Sequence, residues 1–238
     1  MKALLLAAGL GTRLRPLTDR IPKCLVPIRG RPLLDYWIEL LTEAGVGPLL
    51  VNLHHHRDQV EAFLRDHPRR DAVETVVEPR LLGTGGTVLA NRAFLGEGPF
   101  LVIHADNLSR FDVRAFLDRH RNRPAGCEIT LLTFETTTPE SCGIVEVDAQ
   151  GIVRDYQEKP RQATSRLANG AVYCFEPSVL RTLEALGRPE VDLSTEVLPR
   201  YVGRMVTFPT DGYHRDIGTP ESYAQAQIET GYLREPRP

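Results

Sequence analysis

The first half of the chain repeats one pattern, in which short apolar blocks alternate with segments whose apolar residues recur every three or four positions. Residues 3–8 predict a buried strand, 32–44 a helix with Leu33, Trp37, Leu40 and Leu41 on one stripe, and 49–53 the next strand. The alternation continues with a helix at 56–67, a strand at 72–77, a helix at 85–95, a strand at 100–104 and a helix at 112–120. Strands that are apolar throughout, not at alternate positions, indicate a parallel sheet covered on both faces.

After Gly126 the rhythm changes. Residues 128–134, 143–147 and 152–157 read as strands separated by turns, and Asp148-Ala149-Gln150-Gly151 suits a hairpin between the last two. A strand at 171–175 and helices at 177–186 and 194–201 follow, the last behind the capping-type residues Asp192 and Ser194. Gly212-Tyr213-His214 reads as an aromatic-rich strand, and Thr219-Pro220-Glu221 supplies an N-cap, a first-turn proline and an acidic first turn. The expected fold class is α/β, a mixed and mostly parallel sheet flanked by helices, with a more antiparallel second half. No repeat or linker interrupts it, so one domain is expected over 1–238, divided near 125, with a frayed tail at 231–238.

Composition narrows the function. The 238 residues include 29 Lys and Arg against 31 Asp and Glu, 42% apolar and 25% charged residues, which suits a globular protein and argues against disorder or a coiled coil. Near-neutral charge offers no basic field for a phosphate backbone, so no nucleic-acid partner is expected. The apolar runs fall far short of the roughly 20 residues that span a bilayer, so no membrane partner is expected. The N-terminus lacks a signal-peptide pattern, which points to the cytoplasm. Cys24, Cys127, Cys142 and Cys174 are too far apart for a zinc or redox motif and read as free thiols in a reducing compartment.

Candidate chemistry begins directly after the first strand, at Leu6-Ala7-Ala8-Gly9-Leu10-Gly11-Thr12-Arg13-Leu14, and runs through Pro16-Leu17-Thr18 to Pro22-Lys23. Glycines let backbone amides approach a phosphate, and Arg13 and Lys23 add local positive charge. Two common phosphate loops do not apply. Leu14 stands where the dinucleotide fingerprint needs its third glycine, and no G-x-x-x-x-G-K-[ST] string occurs. Asp106 follows the strand at 100–104, which places it at the carboxyl edge of the sheet, where open α/β sheets bind ligands and a hard oxygen suits Mg²⁺.

The block from Leu6 to Lys23 resembles the signature of the sugar-1-phosphate nucleotidyltransferases, or nucleotide-sugar pyrophosphorylases. The likeness recurs in order at Leu82-Gly83-Thr84-Gly85-Gly86, His104-Ala105-Asp106-Asn107, Gly143-Ile144-Val145, Glu158-Lys159-Pro160, Asn169-Gly170-Ala171 and Asp216-Ile217-Gly218-Thr219-Pro220. The ending resembles the mannose-1-phosphate guanylyltransferase branch. The resemblance implies a Rossmann-like fold of the nucleotide-diphospho-sugar transferase type, with a nucleotide-binding half at about 1–125 and a sugar-phosphate-binding half at about 126–230. It implies a cytoplasmic, Mg²⁺-dependent enzyme of nucleotide-sugar biosynthesis that joins a nucleoside triphosphate to a sugar 1-phosphate and expels pyrophosphate, as in making GDP-mannose or GDP-heptose for surface polysaccharide.

By the same resemblance Arg13, Lys23 and Asp106 are catalytic, Arg13 toward pyrophosphate and Lys23 toward the α-phosphate. Leu6, Ala8, Gly9, Gly11, Thr12, Glu78, Gly83 and Thr84 join Arg13 and Lys23 around the nucleotide. Asp106 and Asp216 bind the metal, Asp216 having an N-cap role as its alternative. Gly143, Glu158, Lys159 and Asn169 contact the sugar phosphate, a solvated ion pair being the alternative for Glu158 and Lys159. Asn107 is placed with them and orders its turn. Ala8 and Cys24 depart from the commoner Gly and Pro of the family's opening motif.

The glycines at 83–86 are expected to let backbone approach the nucleoside. A carboxylate at Glu78 accepts hydrogen bonds only, which suits the paired donors on one edge of guanine, so GTP is favoured over UTP, dTTP or CTP. A uridylyl-, thymidylyl- or cytidylyltransferase is the alternative within the family, and a non-catalytic nucleotide-sugar-binding regulatory subunit the alternative outside it. The sequence leaves a homo-oligomer open. His54-His55-His56 reads as a loop beside the site, because neighbouring residues at a strand end point apart.

Overall fold

The computed structural model describes residues 1–229, and the tail expected to fray at 231–238 lies outside them. In chain order, β1 (Ala3–Leu6) is followed by the short pair β2 (Pro27–Ile28) and β3 (Arg31–Pro32), then α1 (Leu33–Glu43), β4 (Leu49–Leu53), α2 (Arg57–Arg65), β5 (Val73–Val77), α3 (Gly83–Ala90) and α4 (Arg92–Leu95). Next come β6 (Phe100–His104), β7 (Asn107–Arg110), α5 (Val113–Arg121), β8 (Ile129–Glu135), β9 (Gly143–Val147), β10 (Val153–Glu158) and β11 (Leu167–Phe175). The last elements of the described residues are α6 (Ser178–Ala185), β12 (Met205–Pro209), β13 (Tyr213–Asp216) and α7 (Pro220–Glu229).

Among the described residues, one nine-stranded sheet follows the order β10-β9-β11-β6-β1-β4-β5, with β8 paired to β11 and β12 to β8. The parallel half is as expected: β6, β1, β4 and β5 run side by side in one direction. Beyond β6 the sheet turns antiparallel through β11, β8, β9 and β10, while β12 lies parallel to β8.

The apolar strands are covered on both sides. Ala3, Leu5, Val51 and Ile103 pack with Trp37, Ile38, Leu41, Val60 and Phe116 on one face. Leu4, Leu50, Phe100 and Val102 pack with Val88, Val179 and Leu183 on the other. Burying each such side chain contributes about 1.5–3 kcal/mol, which is why consecutive strand positions must all be apolar. A third cluster, of Leu14, Val26, Ile28, Leu33, Leu108, Ile217 and Ala226, ties the glycine-rich loop to β7, β13 and α7. It sets Lys23 and Asp216 on neighbouring supports.

Strands β2, β3, β7 and β12 lie outside the predicted elements, and three of the predicted stretches take another form. The helix expected at 85–95 breaks at Asn91, whose side-chain amide donates to the Thr87 carbonyl at 2.8 Å and so competes with the helix ladder. The helix expected at 194–201 is a π turn, Leu193–Val197, followed by a 3₁₀ turn, Leu198–Tyr201, since Pro199 has no N–H to donate. Asp192 does cap it, accepting from the Thr195 amide at 2.8 Å. Strand β11 begins at Leu167, four residues before the strand expected at 171–175, and so takes in Asn169 and Gly170.

Trp37, 1% exposed, donates its Nε1–H to the Asn107 carbonyl at 2.7 Å, so α1 fixes the start of β7. Replacing it with Phe is expected to destabilise the fold by about 1–3 kcal/mol by orphaning that carbonyl. Urea unfolding of Trp37→Phe checks this, and an unchanged midpoint contradicts it.

Candidate active site

Parallel strands β1, β4, β5 and β6 end at the same edge, and their following loops wall a cleft there. Leu6, Ala8, Gly9, Lys23, Glu78, Gly83 and Thr84 line it together with Asp106. Gly11, Thr12 and Arg13 lie just beyond its lining, on the arm of the loop that leads to Lys23. Gly11 takes a left-handed conformation, φ +63°, and a Cβ there would meet Thr18 at 2.8 Å and Lys23 at 3.2 Å, so only glycine lets the loop fold back on itself. Thr18 Oγ1 closes the fold by donating to the Gly11 carbonyl at 2.7 Å.

At the centre, the Lys23 ammonium is 2.8 Å from Asp106 Oδ2 and 3.3 Å from Asp216 Oδ1. Arg13 approaches the other oxygen of Asp216 at 3.5 Å. The Lys23 side chain is 6% exposed, whereas those of Asp106 and Asp216 are 41% and 50% exposed, so a sheltered cation sits behind two carboxylates open to the cleft mouth. Burial works to raise the Asp106 pKa, but the charge and hydrogen bond of Lys23, joined by His104 and a backbone hydrogen bond, together outweigh it and hold the carboxyl below its usual range. Burial pushes the neighbouring Cys24 thiol up to about 12, which leaves it an uncharged wall. Strand pairing brings the two aspartates together, because Asp216 on β13 lies opposite Asn107 on β7.

Glu78, 5% exposed, belongs to a network missed in the sequence. Its Oε1 accepts from Asn52 Nδ2 at 3.1 Å and from Thr87 Oγ1 at 2.6 Å, while Asn52 Oδ1 accepts from the Ala7 amide at 2.6 Å. Asn52 was legible as the polar member of an otherwise apolar strand, a position that needs a partner. His54 Nδ1 is 2.7 Å from the Glu78 carbonyl, in keeping with a histidine loop beside the site.

The glycines of α3 serve a different neighbour from the one expected. A Cβ at Gly83, at Gly85 or at Gly86 would strike the segment Pro189–Val191, and the Gly85 amide donates to the Val191 carbonyl at 2.8 Å. Their smallness lets the helix dock on that segment, and Gly83 and Thr84 still border the cleft.

The residues expected at the sugar phosphate gather mainly on β9, β10 and β11. Gly143 pairs with Glu158, and Tyr156 donates to Glu158 Oε2 at 2.8 Å. Asn169 Nδ2 donates to Tyr173 Oη at 2.9 Å, and its Oδ1 accepts from the Ala171 amide. Lys159 is mostly exposed, with Nζ 3.8 Å from Glu158 Oε1. Asn107 opens β7 instead of ordering a turn, and its carbonyl is the one that takes the Trp37 N–H. Tyr156 and Tyr173 were not singled out in the sequence, and His104 stood only in the block His104-Ala105-Asp106-Asn107 with no role of its own; a polar residue ending the apolar run 100–104 was the available signal for it.

Such a site can do one kind of work well. A cation behind two carboxylates, beside a glycine-rich loop, can draw two polyanions together and neutralise charge between them. Among the described residues no helix is long and apolar enough to cross a membrane, and no group of three or more His, Cys, Asp or Glu side chains is placed to hold a metal. The carboxylate pair would therefore need substrate oxygens and water to complete any coordination.

Residues 2–231 match the family described as nucleotidyl transferase. Mannose-1-phosphate guanylyltransferase catalytic subunit beta from Drosophila pseudoobscura pseudoobscura is 31% identical over 228 residues, covering 93% of this chain and 60% of that protein. UTP–glucose-1-phosphate uridylyltransferase from Synechocystis is 31% identical over 243 residues, covering 95% and 62%. The chain thus spans about 60% of the length of these relatives. Among solved structures, HddC from Yersinia pseudotuberculosis complexed with GMP-PN aligns with a TM-score of 0.80 at 27% identity, covering 96% of this chain and 98% of that one. UDP-glucose pyrophosphorylase from Acinetobacter baumanii aligns at 0.81 with 23% identity, covering 98% and 94%, and shares the fold.

Proposed function

We propose, for a chain that belongs to the nucleotidyl transferase family, that it transfers the nucleotidyl group of a triphosphate, GTP by preference, to a sugar 1-phosphate and releases pyrophosphate. The observation that carries this reading is the convergence of Asp106 and Asp216 on Lys23 at the mouth of the glycine-loop cleft. The attacking phosphate oxygen is already anionic, so no nucleophilic side chain or general base is needed. Lys23 would hold charge on the α-phosphate, Arg13 would meet the departing pyrophosphate, and the β9–β11 cluster would hold the sugar.

The donor set fits Mg²⁺, since two carboxylate oxygens converge, one from the turn between β6 and β7 and one from the end of β13, and this ion commonly keeps water and substrate phosphates for its remaining positions. When bound, Mg²⁺ would supply Lewis-acid neutralisation of phosphoryl charge. Asp106 and Asp216 would hold it, and Lys23, freed from balancing both carboxylates, could turn toward the triphosphate.

The guanine preference is supported by Glu78. Both of its hydrogen bonds end on Oε1, which leaves Oε2 for the cleft. It also draws support from the guanylyltransferase relative and from HddC with GMP-PN. In Glu78→Gln, the amide oxygen can keep the bonds to Asn52 and Thr87 while an NH₂ meets the donors of guanine. The expected result is a loss of about tenfold or more in kcat/KM for GTP, with UTP much less affected. An equal loss for both bases contradicts the role given to Glu78. The reading as a whole is tested by pyrophosphate release across the four triphosphates and a panel of sugar 1-phosphates with Mg²⁺; no release from any pair contradicts it.

A further inference from the structure

We infer that His104 reads a hydroxyl of the sugar 1-phosphate and so helps to set which sugar is accepted. This rests on the function proposed above and adds a residue to its specificity. His104 is the last residue of β6 and lies opposite Leu6 of β1, on the nucleotide side. Toward the other half, the ladder from β6 to β11 stops one residue earlier, at Ile103 and Val172. The residue that would come next, Ala171, has φ +53°, and the register of β11 with β8 shifts between Asn169 and Tyr173. Strand β11 therefore bulges where the imidazole stands, a device that re-aims side chains at functional sites.

The ring lines the cleft with Lys23 and Asp106, and its edge contacts Tyr173 at 5.9 Å between centroids. Tyr173 in turn accepts from Asn169 Nδ2 at 2.9 Å, which links the ring to the cluster of Tyr156, Glu158 and Asn169. The imidazole Nε2 is buried with no hydrogen-bond partner. Buried polar nitrogens are rarely left unmatched, and none of the described side chains meets this one. The charges that act on the ring are Asp106, Asp192, Glu158 and Lys23, three acidic groups against one basic. A hydroxyl both donates and accepts, and so can meet Nε2 whether or not that nitrogen carries the proton.

The test compares wild type, His104→Leu and His104→Gln with mannose 1-phosphate, glucose 1-phosphate and the monodeoxy forms of the better one, at saturating GTP and Mg²⁺. His104→Leu is expected to lower kcat/KM for the sugar phosphate about tenfold or more while KM for GTP stays within about twofold, and His104→Gln to recover part of the loss. One monodeoxy sugar should be poor with wild type and lose nothing further in His104→Leu, because the hydroxyl and the ring form one contact. An unchanged sugar constant in a folded His104→Leu, or an equal loss with every deoxy sugar, overturns the inference and leaves the proposed function standing. Absence of turnover by wild type with every sugar and triphosphate overturns both.

Discussion

Replacing Lys23 with Met is expected to lower turnover by about a hundredfold or more, the scale seen when a group that stabilises transition-state charge is removed. Methionine keeps the unbranched stem that fills the buried space, so the change falls on the ammonium alone. Its two partners, Asp106 and Asp216, are 41% and 50% exposed, and water can solvate them once the cation is gone. The cost to folding should therefore stay below the roughly 3–5 kcal/mol of breaking a fully buried ion pair. Lys23 also supplies the largest of the attractions that together overcome burial at Asp106. Without it the Asp106 carboxyl rises, so the acid limb of the residual activity should move to higher pH. Steady-state rates, a pH profile and a thermal melt check the three parts, and a collapsed melting point with proportionate loss of activity would make Lys23 a structural residue.

The second large effect belongs to Asp106→Asn, which keeps the size of the side chain and removes its charge. Lys23 retains Asp216 at 3.3 Å, so the fold should hold. Turnover is expected to fall by about a hundredfold or more, and added Mg²⁺ should restore part of it because the lesion lies in holding the ion. Full activity at ordinary Mg²⁺ concentration rules out the ligand role.

The parallel half of the fold could be read from the chain because burial on both faces forces unbroken apolar runs. The runs at 49–53 and 100–104 coincide with β4 and β6. Strand β7 was hidden because it carries Ser109 and Arg110 in a small two-stranded sheet, where pairing with β13 matters more than apolar content. Likewise, the strand expected at 171–175 extends back through Gly170 and Asn169 to Leu167, across the irregularity in its ladder.

The site divides in the same way. Gly11, Lys23 and Asp106 were legible because each breaks its local context. What sequence order could not reveal is which residue answers which. The smallness of the α3 glycines is answered by Val191 and Pro189, Glu78 by Asn52 and Thr87, and the two aspartates by one lysine.

That last meeting can be tested by Mn²⁺ titration followed by electron paramagnetic resonance, with a non-hydrolysable GTP analogue present. Wild type should bind one ion at this site. Asp106→Asn and Asp216→Asn should each weaken binding by about tenfold or more, and the double variant should lose little beyond either single change, as coupled ligands do. Unaltered Mn²⁺ affinity in Asp216→Asn would show that the two carboxylates do not share an ion.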